Sequence, residues 1–161
     1  EFKYYESNEK GKVSIKKLYL DPFMDMWNLE ILSYGISDRP SAYSIMSALD
    51  EAIVVTSDCR FRRTFHSDRG WAYQMKSYRY ALKDNRIYQS MSRKGNCYDN
   101  SPMENFFGIM KQEMYYGEVY NSYEELKGAI EKYIRYYNQQ RIKASLGYRS
   151  PVEYREQMSA A

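Results

Sequence analysis

The sequence predicts a mixed α/β domain in which helices pack on a sheet. Three features predict it: two strand-like runs near the start, helical and strand-like stretches alternating through the middle, and three closing helices with a shared start chemistry. The 161 residues, 43% hydrophobic and 28% charged, suit a single domain over 1–161 with its own core.

Residues 16–36, KKLYLDPFMDMWNLEILSYGI, are rich in apolar and aromatic side chains with partial alternation. With Met26-Trp27-Asn28 as a turn, they predict antiparallel strands at about 16–25 and 29–36. Asp38-Arg39-Pro40-Ser41 marks a helix start, and Ala42, Ile45, Met46, Leu49 and Ile53 follow at helical spacing. A short strand over 62–67 ends in His66-Ser67-Asp68. A helix over about 71–84 carries Trp71, Met75, Tyr78 and Leu82, a strand runs from Ile87 to Met91, and Ser92–Asn100 is a polar loop. Ser101-Pro102-Met103-Glu104, Ser122-Tyr123-Glu124-Glu125 and Ser150-Pro151-Val152-Glu153 each fit a capping box, two with Pro at the first helical position. The middle helix reaches about Gln140, with Leu126, Ile130, Tyr133, Ile134 and Tyr137 on one face.

Composition narrows the function classes. No apolar run approaches the ~20 residues of a membrane span, and EFKYYESNEKGK has none of the features of a signal peptide. A start without Met points to a processed or truncated chain. Cys59 and Cys97 cannot build a disulfide framework, so a reducing cytoplasm is expected. One histidine, His66, and no CxxC pair argue against zinc. Nineteen tyrosines serve buried packing and wet contact surfaces equally well.

The net charge of +3 hides a layout. Residues 59–111 carry 11 Lys/Arg and four acids, a local charge of +7, against −4 for the remainder. A basic middle with acidic flanks fits a nucleic-acid-facing surface, and it equally fits solvated helix faces.

Two carboxylates stand where chemistry is expected. Asp68 follows a short strand and opens a Gly-containing loop, the position at which open α/β sheets place their sites. Glu104, 35 intervening residues later, sits in the first turn of the helix from Ser101. On that helix Met103, Phe106, Phe107, Met110 and Met114 form an apolar stripe. Glu104 and Lys111 fall about 20° apart at its rim and about 10 Å apart along the axis. They could hold a metal and a neighbouring phosphate. Glu104 is also the third residue of a capping box, and Lys111 serves equally as a solvent-facing lysine.

His66-Ser67-Asp68-Arg69-Gly70 and the block from Ser90 through Arg93, Lys94, Asn100, Glu104 and Phe107 to Lys111 resemble the integrase core of bacterial insertion-sequence transposases. The ending is similar too: Tyr136-Tyr137-Asn138, Arg141, then Leu146-Gly147-Tyr148-Arg149-Ser150-Pro151-Val152-Glu153-Tyr154. The resemblance implies a ribonuclease-H-like fold, a five-stranded mixed sheet flanked by helices. It implies DDE chemistry: two Asp and one Glu holding two Mg²⁺ or Mn²⁺ ions for phosphodiester cleavage and strand transfer on DNA. Asp68 matches the second Asp and Glu104 the Glu, and Lys111 matches a lysine that approaches the DNA end. The basic residues around Arg60–Arg69 and Arg93-Lys94 would then hold phosphates with salt-sensitive affinity. In the family the first Asp precedes a segment that Glu1-Phe2-Lys3 resembles, so that Asp is expected just upstream and the first strand is expected to be truncated. Asp21 and Asp25 are poor substitutes, being on the second strand. Weak metal binding and little strand transfer by this polypeptide follow. The alternative is a non-catalytic DNA-binding or assembly module from a truncated transposase. A junction resolvase of the same fold is disfavoured by the Arg93–Phe107 block and the Ser-Pro-Val-Glu-Tyr ending. The expected partners are insertion-sequence ends, target DNA and further copies of the chain, in a bacterial cytoplasm beside the nucleoid.

Overall fold

The computed structural model describes residues 1–93 and 101–160. Three strands open the chain: β1 (Phe2–Ser7), β2 (Val13–Met24) and β3 (Ile31–Ser37). They form an antiparallel sheet in the order β1-β2-β3, with Phe2 opposite Leu18 and Leu20 opposite Ile36. Alternation decides its faces: Phe2, Tyr4, Leu18, Leu20 and Ile31 are buried, whereas Lys3, Tyr5 and Ile15 look outward.

The turn between β2 and β3 is more than a polar break. Asp25 Oδ1 accepts from the Trp27 amide at 2.8 Å, and Leu29 adopts a positive φ of 63°. Asn28 is wholly buried, donating to Glu30 Oε2 at 3.0 Å and to the Pro151 carbonyl at 3.3 Å.

Helix α1 (Ala42–Val55) follows, capped by Ser41, whose hydroxyl accepts from the Ser44 amide. It lies hard against β3, because a Cβ on Gly35 would stand 2.3 Å from Ser44 Oγ. Only glycine permits that approach. Next come β4 (Thr64–Ser67), α2 (Lys76–Asp84) and β5 (Tyr88–Met91), with β4 and β5 parallel. The single helix expected over 71–84 is broken. A 3₁₀ turn covers Ala72–Gln74, Met75 is extended (φ −61°, ψ 145°), and α2 begins only after it.

The chain closes with α3 (Ser101–Met114), α4 (Tyr123–Gln139) and α5 (Pro151–Ser159). Ser150 and Glu153 form the complete reciprocal box, and Ser122 caps α4 through the Glu125 amide at 3.0 Å. Ser101 is itself the first helical residue of α3 rather than its cap, and the residue before it lies outside the described residues. The expected loop Ser92–Asn100 lies largely outside them as well.

The five strands among the described residues pair as three plus two rather than along one ladder. The outer edge of β1 is already spent: Tyr115 Oη accepts from the Lys3 amide at 2.7 Å and donates to the Lys3 carbonyl, and the Tyr5 amide donates to the Tyr120 carbonyl. A main core joins the three-stranded sheet to Phe106, Met110, Leu126, Ile130 and Tyr137 of α3 and α4. A second cluster joins α1 and α2 around Leu49, Tyr78 and Leu82. Among the described residues no helix is long and apolar enough to cross a membrane.

Candidate active-site cleft

Asp68 leaves the end of β4 into a loop that is held at several points. His66 bridges the two parallel strands, Nδ1 lying 2.9 Å from Ser90 Oγ and Nε2 3.1 Å from Ser92 Oγ. The Ser92 amide donates to the Ser67 carbonyl at 2.9 Å. Arg69 Nε donates to the Ser92 carbonyl at 3.0 Å, and Gln74 returns to the Arg69 carbonyl. The Asp68 carboxylate is exposed, with one oxygen, Oδ1, accepting from the Gly70 amide at 2.7 Å.

This loop forms one wall of a cleft of about 590 Å³. Asp21 and Asp25 of the β2 end, Tyr73, and Met103 and Phe107 of α3 line it together with Asp68. Burial pushes the Asp21 carboxyl above its ordinary value, and the amino group of Glu1 draws it partly back. The Tyr73 hydroxyl is raised to about 12, first by burial and then by the charges of Asp21 and Asp68. A phenol that stays protonated beside two carboxylates is a hydrogen-bond donor over the whole physiological range.

Glu104 is an exposed residue of the first turn of α3, the helix whose Met103 and Phe107 enter the cleft. It is not itself a lining residue. Among the described residues, no group of three or more acids, histidines or cysteines stands ready to hold a metal ion. The donor chemistry does fit Mg²⁺ or Mn²⁺: hard, exposed carboxylate oxygens, with room for retained waters.

Lys111 lies two turns along α3, half-buried, its Nζ 5.5 Å from the centroid of the Phe2 ring. Together with burial, its charge lowers the amino group of Glu1, which places Lys111 beside the start of β1. Arg93 is exposed and Lys94 lies outside the described residues. Arg63, within the stretch expected to hold phosphates, is committed elsewhere: Nη1 donates to the Ile53 carbonyl at 2.7 Å and to Thr56 Oγ1 at 2.9 Å.

Tyr73 was not singled out from the sequence, and Gly70 was read there only as part of the loop and motif that carry Asp68. The signal for Tyr73 was position, within five residues of Asp68, but it fell inside a stretch expected to be plain helix.

The α/β core, with Asp68 at the end of a short parallel strand, has the ribonuclease-H-like fold of integrase catalytic cores. The catalytic core domain of the HTLV-2 integrase, solved in complex with magnesium, has that fold and superposes with a TM-score of 0.63 at 15% identity, covering 94% of this chain and 90% of that one. Two family models, each described as an integrase core domain, match residues 2–97 and 104–158. The chain belongs to the integrase core domain family. It is 41% identical over 98% of its length to the putative transposase InsK for insertion sequence element IS150 of Escherichia coli K12, and 42% identical over 98% to an uncharacterized transposase-like protein of Haemophilus influenzae. It spans 58% of the first relative and 75% of the second.

Proposed function

We propose that this chain is the catalytic core of a DDE-type DNA transposase, acting on insertion-sequence ends and target DNA by metal-dependent phosphodiester cleavage and strand transfer. The observation that carries it is Asp68 at the mouth of β4, in a cleft walled by the first turns of the helix that bears Glu104. Asp68 and Glu104 would hold Mg²⁺ or Mn²⁺. Such ions, when bound, supply an activated water or 3′-hydroxyl and a stabilised leaving oxygen.

The protein's own contribution is placement. The Gly70 amide fixes one Asp68 oxygen, and no other described residue holds the second. The hydrogen bonds of His66 and Arg69 to the residue-92 segment hold that loop at the strand end. Lys111, Arg69, Arg93 and Lys94 would meet phosphates of the DNA, a salt-sensitive attraction. Joining two DNA ends favours at least a dimer, working in the bacterial cytoplasm beside the nucleoid.

A Mn²⁺ soak of crystals tests the site. Metal lying about 2 Å from oxygens of Asp68 and Glu104 is the expected result, and carboxylates more than about 10 Å apart with no metal between them would overturn it.

A further inference from the structure

Four cations line a second groove that shares no residue with the carboxylate cleft. Arg62 precedes β4, Arg79 and Lys83 stand one turn apart on α2, and Arg86 follows that helix, around a cavity of about 310 Å³. Buried Leu82 and Ile87 also line it. Strand pairing explains the meeting of distant residues. Tyr88 pairs with Thr64, and its amide donates to the Arg63 carbonyl at 2.9 Å. The Arg62 guanidinium accordingly lies over the Tyr88 ring, 5.5 Å from its centroid. Among the described residues, no ion pair engages any of the four cations.

Arg86 supplies an independent observation. The Ile87 amide donates to the Leu82 carbonyl at 2.8 Å and the Arg86 amide to the Lys83 carbonyl at 3.0 Å. This pair of bonds closes the helix through a left-handed residue, a position where glycine or asparagine is favoured. Here it is an arginine, at φ 55°. A long side chain stands where the backbone favours none, and it carries positive charge to a groove already rich in it.

We propose that this groove binds the sugar-phosphate backbone of duplex DNA, as a contact separate from the carboxylate cleft; the proposal rests on the DNA-acting function given above. Tyr88 is the only aromatic among the lining residues, and Arg62 already covers a face of its ring. The groove thus offers charge to phosphates rather than a row of stacking rings to unpaired bases.

Fluorescence anisotropy with a labelled duplex of about 30 base pairs, titrated at several KCl concentrations, tests the proposal. Each phosphate contact contributes about 0.9 to the slope of log affinity against log salt. R79Q/K83Q should lower the slope by about 1.8, and R86G by about 0.9. R86G should also raise the melting temperature by relieving the left-handed turn, which separates lost binding from lost folding. If K111Q lowers the slope while neither groove variant does, the groove proposal is overturned and the DNA-acting function stands. If the unaltered chain shows no salt-dependent binding, that function is overturned, and this proposal with it.

Discussion

The Gly70 amide donates to Asp68 Oδ1 at 2.7 Å, and a Cβ at residue 70 would come within 2.9 Å of the same oxygen. A side chain at residue 70 would therefore displace the carboxylate that the amide of the same residue orients. G70A should push the carboxylate off its amide while leaving its charge in place. We expect Mn²⁺ affinity, read from the free Mn²⁺ signal in electron paramagnetic resonance, to fall about tenfold, or 1.4 kcal/mol. D68N should abolish the same signal change. Full affinity in G70A beside none in D68N would show that the carboxylate works without this amide.

Arg63 ties the end of α1 to the segment before β4. Its guanidinium donates to the Ile53 carbonyl and Thr56 Oγ1, two acceptors at the last turn of that helix, where a cation also opposes the negative end of the helix dipole. R63A should cost about 1–2 kcal/mol of stability, seen as a lower urea midpoint. The salt slope of DNA binding should stay unchanged, since the side chain is already committed. A changed slope with unchanged stability would return Arg63 to the phosphate-binding set.

Arg63 also shows where reading the chain alone reached its limit. Most helices and strands were legible because apolar periodicity and capping residues are local: Ser122 and Ser150 cap as their spacing predicts, whereas β1 was not read from pattern. Asp68 was legible because a strand followed by a Gly-containing loop is a local pattern too. What was not legible is three-dimensional competition for a side chain. Charge counts place Arg62 and Arg63 together, yet one faces a groove and the other binds a helix end. The break at Met75 was hidden for a related reason. Trp71, Met75, Tyr78 and Leu82 keep helical spacing across it, and only the backbone shows Met75 extended. Tyr73 enters the cleft from the 3₁₀ turn just before that break.

Glu113 and Arg141 join α3 to the segment after α4. Arg141 Nε and Nη2 donate to the Glu113 carboxylate at 2.7–3.0 Å, and the Tyr133 hydroxyl adds a bond at 2.8 Å. The Arg141 guanidinium holds the Glu113 carboxyl below its ordinary value of 4.5, against an opposing effect of burial. A depressed carboxyl stabilises the fold fully above its unfolded value, and that stabilisation is lost as pH falls through the folded one. The pair is partly exposed, so R141Q should cost only about 1 kcal/mol at pH 7. Urea unfolding at pH 7 and at pH 3 checks the sign: the gap between variant and wild type should shrink at the lower pH. A gap that widens there would assign the loss to something other than this carboxylate.

Asn28 fastens the β2–β3 turn to α5. It is fully buried, donates to the Pro151 carbonyl, and accepts from the Glu30 amide through its own side-chain oxygen at 3.2 Å. Around it the attachment is looser: the Trp27 and Tyr154 rings meet at 5.4 Å, and Arg155 pairs with Glu30 at 3.0 Å with half of the Arg155 side chain exposed. Burial should rank the losses. N28A strands a buried carbonyl and empties packed space, for about 2–3 kcal/mol. S150A removes a cap for about 1 kcal/mol, and R155A breaks an exposed pair for less than about 1 kcal/mol. At about 2–4 °C per kcal/mol for a domain of this size, thermal melts resolve the order. An N28A melt no lower than that of R155A would show that α5 is held by its rim and not by the buried amide.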